Sequence, residues 1–562
     1  MTAPRYLFLL MLLFVNGLFA ADPLAKHNFD VRSYGATGDG KTLDTGAINR
    51  AIQTAAEAGG GTVVLPAGDY LCYSIHLQSK VALYLGVGAT IIAADPPAPG
   101  ESGGYDAAEP NQWSEYQDFG HTHWRNSLIW GENLDQVSIT GPGRIYGRGL
   151  SRGNGRISRP VGALPPQGEP GELLSDVLGS DGVFPIPDRP DLKPGSFGYP
   201  NARDTLSDGV GNKAIALKNC RNVTLRDFSI LHGGHFGILA TGVDNLTIDN
   251  LVIDTNRDGM DIDACANVRI SNCTINSPWD DGLCLKASFG LGVARFCENV
   301  TITNCLVSGF DEGSILDGTR RRGLARRGGP ISRIKLGTEA SGGFRNITIS
   351  NCVFDYCRGL ALEQVDGGDL EDIAISNITM RDVPNAPIFL RLGARLRRPA
   401  TTEPGHVRRI LIDNLVASNV SPDHGILLLG VAEHPVEDVI LSNIQIHYAG
   451  GGTTEQATRT VPELENAYPD PYDFGFIPSW GIFARHVKGL SLRGVELHTI
   501  KPDARPAIIL DDVTDVRAAD VILDVTDKLP VWSMVNVSRL HARDTTRLPD
   551  GTIPGITARE LR

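Results

Sequence analysis

Short segments in which apolar and polar residues alternate recur along the chain, and each of the clearer ones contains Asn near its start. Alternation over so few residues is typical of a β-strand, and the Asn residues indicate turns at the strand ends. The segments begin with "RNVTLRDFSI" at 221, "DNLTIDNLVI" at 244, "ANVRISNCTI" at 266, "ENVTITNCLV" at 298, "RNITISNCVF" at 345 and "EDIAISNITM" at 371, with weaker copies at 408 and 437. The pattern predicts an all-β fold built from repeated short strands.

The spacing of these segments predicts a solenoid. The leading Asn lies at 222, 245, 267, 299 and 346, so the first two intervals are 23 and 22 residues. A repeat of about 20 to 25 residues in which short strands alternate with turns is typical of a β-solenoid. In such a fold, equivalent residues of successive coils lie about 4.8 Å apart. We expect longer intervals to be coils with inserted loops, the Asn ladders to point inward, and one column of cysteines, Cys273, Cys305 and Cys352, to stack inward.

The ends and insertions of the chain define its predicted organisation. Residues 43–60 have helical spacing, with Asp44 or Thr45 as cap, and a helix there would close the open end of the solenoid. We expect one solenoid domain over 22–540 and a C-terminal tail over 541–562. Inserted loops are expected over the Gly-, Pro- or Arg-rich stretches at about 151–212, 318–332 and 450–480.

Composition restricts the location and the partners. Residues 1–21 carry one Arg, a short apolar stretch and small residues, which predicts a secretory signal cleaved near Ala20 or Ala21 and a secreted or periplasmic protein. An uncleaved membrane anchor is the alternative, although the stretch is short for a span. The net charge of −13 argues against nucleic acid or a membrane as partner. We expect most of the nine cysteines to be core residues.

The clearest candidate chemistry lies in residues 256–288, which contain five aspartates. Asp258 and Asp281 each precede a glycine and are 23 residues apart, so they should occupy one position in adjacent coils. Extending that phase predicts two neighbouring columns. The first column is Phe236, Asp258, Asp281, Glu312 and Arg358, and the second is His235, Arg257, Asp280 and Asp311.

Acidic groups stacked at sheet spacing repel one another, and each raises the pKa of its neighbours. A single Asp-Gly pair is mostly a turn, whereas acid-Gly in three successive coils favours a functional site. Glycoside hydrolysis needs such a set, because one carboxylic acid protonates the leaving oxygen while a carboxylate activates water. A β-helix lyase would instead hold calcium with these acids and use a basic residue to remove a proton.

The ordered motifs resemble the polygalacturonase family, glycoside hydrolase family 28, over about 28–385. The family signature reads roughly N-T-D-G, D-D, G-H-G and R-I-K. Asn256-Arg257-Asp258-Gly259 is similar to the first element with Arg in place of Thr, and Asp280-Asp281 is similar to the second. The opening "FDVRSYGATGDG" at 29–40 and "GTEASGGFRNITISNC" at 337–352 also resemble the family.

The resemblance implies a right-handed parallel β-helix that hydrolyses galacturonic-acid linkages with inversion and with no metal or other cofactor. It implies that Asp280 is the general acid, that Asp258 and Asp281 position and activate water, and that Asn256 is a site residue.

Two motifs depart from the family. At the predicted G-H-G position the chain reads Phe310-Asp311-Glu312, and at the predicted R-I-K position it reads Ala361-Leu362-Glu363. An "RIK" occurs at 333–335, which the phase places away from the site. These departures argue against simple cleavage of homogalacturonan, and the chain resembles the branch of relatives that vary around this core and cut rhamnogalacturonan.

Several residues are candidates for binding an acidic sugar in place of the family's basic motif. Arginine suits bidentate contact with a carboxylate. The arginine-rich stretch 320–329 is either a binding loop or a solvated loop. The predicted substrate-binding residues are Asn256, Arg257, His235, Lys286, Asp311, Glu312 and Arg358.

The sequence therefore predicts a secreted, monomeric β-helix hydrolase of acidic plant cell-wall polysaccharide, acting by inversion and at chain ends. A polysaccharide lyase or epimerase on the same scaffold is one alternative, and a non-catalytic glycan-binding solenoid is the other.

Overall fold

The computed structural model describes residues 27–98, 100–117, 120–152, 207–322, 329–525 and 529–561. The predicted signal at 1–21, most of the predicted loop at 151–212 and residues 323–328 lie outside these ranges. Within them, no helix is long and apolar enough to cross a membrane.

The described residues form one parallel sheet that winds into a β-helix, with strands in its N-terminal, central and C-terminal parts. The N-terminal strands are β1 (Asn28–Asp30), β2 (Asp39–Leu43), β3 (Gly61–Leu65), β4 (Gly68–Cys72), β5 (Ile75–His76), β6 (Val81–Leu85), β7 (Ala89–Ala93), β8 (Ile129–Glu132), β9 (Asp135–Thr140) and β10 (Arg144–Tyr146). The central strands are β11 (Lys213–Lys218), β12 (Arg221–Arg226), β13 (Ser229–Leu231), β14 (Phe236–Thr241), β15 (Asp244–Asp249), β16 (Val252–Asp254), β17 (Asp258–Asp263), β18 (Ala266–Ser271), β19 (Thr274–Asn276), β20 (Leu283–Lys286), β21 (Cys297–Thr303), β22 (Leu306–Ser308) and β23 (Ile334–Leu336). The C-terminal strands are β24 (Phe344–Asp355), β25 (Leu360–Gln364), β26 (Asp369–Val383), β27 (Ile388–Leu392), β28 (His406–Val420), β29 (Ile426–Leu429), β30 (Val436–Gly450), β31 (Ile482–Lys501), β32 (Ile508–Leu523), β33 (Trp532–Thr545) and β34 (Gly551–Leu561).

Each central coil contributes three strands, and each strand pairs in parallel with its equivalent in the next coil. Thus β14, β15 and β16 pair with β17, β18 and β19. We call face A the face formed by β11, β14, β17, β20, β23, β25, β27 and β29, which pair in that order. The parallel β-helix predicted from the repeat is confirmed.

The interior is a column of apolar side chains, because alternate residues of every strand point inward. On face A, Ile238, Met260, Leu283 and Ile334 follow one another and have no exposed surface. Burial of each such side chain contributes roughly 1.5–3 kcal/mol. The predicted column of cysteines, Cys273, Cys305 and Cys352, belongs to this core.

The Asn ladders lie on the exposed turns, so the prediction that they point inward is wrong. Asn245, Asn267 and Asn299 adopt left-handed backbone conformations with φ of 56°, 58° and 56°. Asn tolerates this conformation better than other residues with a Cβ atom. The amides also bond along the ladder, with Asn267 Nδ2 donating to Asn245 Oδ1 at 3.3 Å and Asn299 Nδ2 donating to Asn267 Oδ1 at 3.1 Å.

We predict that Asn267→Ala destabilises the protein by about 1–2 kcal/mol, because alanine is strained in the left-handed region. Asn267→Gly should cost less, since glycine adopts this conformation freely. Both variants lose the same ladder bonds, so the difference between their free energies of unfolding isolates the backbone effect. Equal losses in chemical denaturation would contradict this explanation of the Asn repeat.

Both ends of the solenoid are covered. The helix α1 (Thr45–Glu57) lies within the range predicted for a helix and turns Ile48 and Ile52 toward the core. At the other end, the residues expected to form a tail instead complete β33 and form β34, which pairs antiparallel with β33. Their weaker repeat reflects this change of strand direction. The reversed strand places Ile556 on the end of the core.

Candidate active site

Three carboxylates meet at one edge of face A. Asp258 begins β17, and Asp280 and Asp281 lie three and two residues before the start of β20. The pairing of Met260 with Leu283 places Asp258 beside Asp281, and the Gly259 amide donates to the Asp281 carbonyl at 3.0 Å. One oxygen from each of the three aspartates lies within 4.8 Å of the other two. The structure thus brings together the acids that the repeat spacing placed in adjacent coils.

Asp281 is held between two buried cations. Arg333 Nε lies 2.8 Å from Asp281 Oδ1, and Lys335 Nζ lies 3.0 Å from Asp281 Oδ2. Burial alone would raise the pKa of Asp281, but the charges of Lys335 and Arg333 outweigh it and hold that pKa well below its usual range. Asp281 is therefore a carboxylate rather than a carboxylic acid.

Glu363 lies on the other side of the same two cations. Its Oε1 is 3.5 Å from Arg333 Nη2 and its Oε2 is 3.4 Å from Lys335 Nζ. Burial raises the pKa of Glu363, although Lys335 and Arg333 act against the rise. Asp281, Arg333, Lys335 and Glu363 together form a buried group, here called the charge quartet, with two positive and two negative side chains.

The position of the charge quartet corrects the prediction that "RIK" at 333–335 lies away from the site. The chain leaves the solenoid after β22 and rejoins face A at β23, where Ile334 pairs with Leu283. This single coil therefore spans far more residues than its neighbours. Extending the register by two residues places Ser332 beside Asp281, where the repeat had placed Glu312.

Asp311 and Glu312 consequently lie in the long connection between β22 and β23, outside the predicted columns. Glu312 pairs with Arg152 and lies 3.3 Å from His232 Nδ1. Asp311 lies 3.8 Å from Arg321 Nε. The prediction that they belong to the acid column is wrong.

Asp280 pairs with Arg257 rather than with the charge quartet. Arg257 Nη2 lies 2.9 Å from Asp280 Oδ2, and Arg257 Nη1 donates to the Arg152 carbonyl at 3.3 Å. The side chains of Arg257 and Asp280 are 20% and 28% exposed, which makes this pair more accessible than the charge quartet.

Asp258 differs from both neighbours, because its carboxylate has no hydrogen bond or ion pair within the ranges that the structure describes. The residue is only 5% exposed. Burial, together with the negative charges of Asp280 and Asp261, raises the pKa of Asp258 well above its usual range. The three aspartates therefore have three electrostatic environments, as acid and base roles require.

Two of the remaining predicted binding residues, Asn256 and His235, are buried. Asn256 lies in the turn before β17 and is buried, with its carbonyl accepting from Trp279 N at 3.0 Å. His235 stacks on Phe236 with 4.3 Å between ring centres. Burial, with the charges of Arg257 and Lys213, lowers the pKa of His235 well below its usual range.

Arg358 and Lys286 are both buried in ion pairs. Arg358 Nη1 lies 2.9 Å from Asp470 Oδ2, which belongs to the loop over 451–481. Lys286 Nζ lies 2.8 Å from Glu339 Oε2 and 3.7 Å from Asp261 Oδ2. Their ammonium and guanidinium groups are therefore neutralised within the protein.

The sequence analysis missed Asp261, Glu339 and His121. Among the residues that the structure describes, neither oxygen of Asp261 has a hydrogen-bond partner, and Asp261 Oδ2 lies 3.6 Å from His121 Nε2. Its position was available from the alternation in "DGMDID", since Met260 and Ile262 point into the core and Asp261 must point out. His121 comes from a loop of no regular spacing, so nothing in the repeat indicates it.

Stability should depend on pH through Asp261. Burial raises the pKa of Asp261 from 3.8 to about 8, with Lys286 opposing the rise. A raised folded-state pKa gives a contribution that is complete below about pH 4 and is lost as the pH rises through 8. We predict that Asp261→Asn becomes progressively more stable relative to the wild type across this range. Denaturation at several pH values tests this, and a constant difference would contradict it.

Loops cover the outer side of face A on both sides of the cluster. On one side Trp124 packs with Phe236 and Leu239. On the other side Phe474 and Ile477, from the loop predicted at 450–480, belong to an apolar cluster with outward residues of face A. The polar aspartate site thus lies between two covered apolar patches.

Arg257, Arg333 and Lys335 already neutralise two of the three aspartates, which suits acid–base chemistry better than tight binding of a divalent cation. The oxygens are nevertheless close enough to surround an ion. The geometry supplies an ionised carboxylate at Asp281, a buried carboxyl at Asp258 and a more accessible one at Asp280.

Comparison with known proteins agrees with this fold. A model described as "Right handed beta helix region" matches residues 208–382, and one described as "Rhamnogalacturonase A/epimerase, pectate lyase-like" matches residues 28–102. The chain is similar to a probable polygalacturonase from Vitis vinifera, with 24% identity over 490 residues that cover 82% of this chain and 83% of that protein. A shorter match to alginate lyase 7 from Azotobacter vinelandii has 60% identity over 66 residues, which cover 12% of this chain and 8% of that protein.

Among solved structures, the chain is similar to the hyperthermoactive exopolygalacturonase from Thermotoga maritima. The TM-score is 0.51 at 18% sequence identity, and the alignment covers 96% of this chain and 98% of that one. This likeness shows the right-handed parallel β-helix that the motifs imply. The chain is therefore similar in sequence to a polygalacturonase over most of its length and shares the right-handed β-helix fold, in agreement with the resemblance of its ordered motifs to glycoside hydrolase family 28.

Proposed function

We propose that the protein hydrolyses α-glycosidic bonds of acidic pectic polysaccharide, either galacturonan or rhamnogalacturonan. The observation that carries this proposal is the meeting of Asp258, Asp280 and Asp281, with oxygens within 4.8 Å of one another at one edge of face A. The polygalacturonase relative over most of the chain supports the substrate class.

The proposed roles follow from the three environments. Asp280 is the most accessible of the three and donates the proton to the leaving glycosidic oxygen. Asp281 remains charged beside Arg333 and Lys335 and orients the attacking water. Asp258 receives the water's proton when its own carboxyl is ionised, and its raised pKa makes that ionised form a stronger base than Asp281.

The stereochemical outcome is part of the proposal. The family resemblance implies inversion. Inverting enzymes usually hold their two carboxyl groups about 6.5–9.5 Å apart, and retaining enzymes about 5–5.5 Å apart. One oxygen of each aspartate lies within 4.8 Å of the others, and the anomeric form of the first product distinguishes the two outcomes.

The proposed biological setting rests on the chain's own sequence. Residues 1–21 have the composition of a secretory signal, which supports action in the periplasm or outside the cell. We propose a monomer that acts on chain ends of plant cell-wall polysaccharide, with the inserted loops closing one end of the cleft.

Product analysis tests this function. The purified protein is incubated with homogalacturonan and rhamnogalacturonan oligosaccharides in the presence of a chelator. We expect new reducing ends, no product that absorbs ultraviolet light, and an inverted anomer by proton NMR. A retained anomer would overturn inversion while leaving hydrolysis intact.

A lyase or epimerase is the second candidate, because the 66-residue match to alginate lyase 7 is 60% identical. It predicts unsaturated products or uronic acid epimers, with activity that the chelator abolishes. If none of the oligosaccharides is cleaved or epimerised, a glycan-binding solenoid without catalytic activity becomes the favoured function.

A further inference from the structure

Five of the basic side chains described above lie at the site, and four of them are buried in ion pairs with acidic side chains. The side chains of these four are at most 6% exposed. They are Lys286, Arg333, Lys335 and Arg358. Arg257 is 20% exposed and is therefore the member of this set that an approaching anion can reach.

Arg257 is fixed at its backbone and paired at its side chain. Its carbonyl accepts a hydrogen bond from Ser277 Oγ. Its guanidinium reaches Asp280 in the next coil at 2.9 Å. A cation at this distance favours the ionised form of a carboxyl group. A general acid, however, must carry a proton when the glycosidic bond breaks.

We propose that Arg257 couples protonation of Asp280 to the binding of an anionic sugar. The carboxylate of the bound uronic acid pairs with Arg257, which releases Asp280 from its ion pair. Asp280 then takes a proton from solvent and later gives it to the leaving glycosidic oxygen. The coupling rests on the proposed function, and it makes Arg257 a specificity-determining residue.

Other charged groups face Asp280 from the elements around it. Asp258 and Asp261 lie on β17, and Asp281 is adjacent to Asp280 in the chain. Lys286 on β20 pairs with Glu339, whereas Lys335 on β23 and Arg333 directly before it pair with Asp281 and Glu363. The ion pair of Arg257 with Asp280 is therefore the one in this set for which an approaching anion can compete.

A neutral sugar should leave the Arg257–Asp280 pair closed. A methyl ester of galacturonic acid has the same shape near the ring but lacks the charge that competes for Arg257. An esterified residue would thus be rejected for two reasons. It makes no ion pair with Arg257, and it leaves Asp280 paired and without the proton that the reaction needs.

Calorimetry of D-galacturonate binding tests the coupling without requiring turnover. Titrations near neutral pH in two buffers with different heats of ionisation give the number of protons bound per ligand. We expect the wild type to take up about one proton per galacturonate and none with the methyl ester. Arg257→Met should bind galacturonate about 10–100-fold more weakly, with no linked proton uptake.

Arg543→Met is the matched control, since Arg543 Nη2 pairs with Asp520 Oδ2 at 3.0 Å on the exposed surface away from the site. It should retain wild-type affinity and proton uptake. Thermal unfolding of each variant shows whether it is folded. If Arg257→Met fails to fold, the wild-type titrations with galacturonate and its methyl ester still test the coupling.

The outcomes separate this inference from the proposed function. Galacturonate binding to the wild type with no proton uptake would overturn the coupling and leave the hydrolase assignment standing. Unchanged proton uptake in folded Arg257→Met would also overturn it. If the wild type neither binds galacturonate nor cleaves pectic oligosaccharides, the proposed function fails, and the coupling fails with it.

Discussion

Asp280→Asn should lower kcat on a pectic oligosaccharide by about 10²–10⁴-fold, the usual contribution of a positioned general acid. The replacement keeps the shape of the side chain and a carbonyl oxygen that can accept from Arg257. Since the Asp280 side chain is partly exposed, the fold should survive. Initial rates of reducing-end formation, together with a thermal unfolding curve, distinguish lost chemistry from lost structure.

A substrate with an acidic leaving group provides a sharper test of the same role. An aryl glycoside whose leaving group departs without protonation should lose much less activity in Asp280→Asn than the natural linkage does. Asp258→Asn should remain slow on both substrates, because water activation is needed for each. Asp520→Asn, which also removes an aspartate paired with arginine, is the control. Equal losses on both substrates in Asp280→Asn would remove Asp280 from the acid role.

The regular part of the site could be predicted because a parallel solenoid converts sequence period into distance. Asp258 and Asp281 are separated by one coil, and Met260 pairs with Leu283 as that separation requires. The same logic predicted the inward column of cysteines. It failed for the Asn ladders, because alternation alone does not distinguish an inward position from a turn with positive φ.

The irregular coil explains the larger errors. The phase argument assumed that the coil after Asp281 returns near residue 312, whereas it returns at Ile334. A usable signal was present in "RIKL", because Ile334 and Leu336 alternate as Leu283 and Leu285 do. That signal would have placed Arg333 against the acid column and removed Glu312 from it.

Partners that come from loops could not be predicted from the period. Asp470 neutralises Arg358 from the loop over 451–481, and His121 approaches Asp261 from a loop before β8. Their positions depend on how loops pack over face A, and the repeat contains no information about that packing. Lys286 and Arg358, two of the cations predicted to meet substrate, are neutralised by acidic partners, whereas Arg257, also predicted to bind substrate, remains partly exposed.

Lys335→Met should destabilise the protein by about 3–5 kcal/mol, the usual cost of removing one partner from a buried charge group. Lys335 is buried against both Asp281 and Glu363, and Met matches its length without its charge. The charge quartet would change from neutral to a net charge of −1. Because the pKa of Glu363 is already raised by burial, protonation of Glu363 can restore neutrality at low pH. The loss, measured as the free energy of unfolding, should therefore increase as the pH rises.

The double variant Lys335→Met, Glu363→Gln tests this explanation, because it makes the remaining Asp281–Arg333 pair neutral again. It should recover more than half of the stability lost in the single variant, although it contains one more substitution. Lys488→Met is the control for losing a lysine ion pair at the surface. Lys488 lies 3.2 Å from Glu437 and is largely exposed, so its removal should cost less than about 1 kcal/mol. A double variant no more stable than Lys335→Met would show that packing around Lys335, rather than the balance of buried charge, stabilises the site.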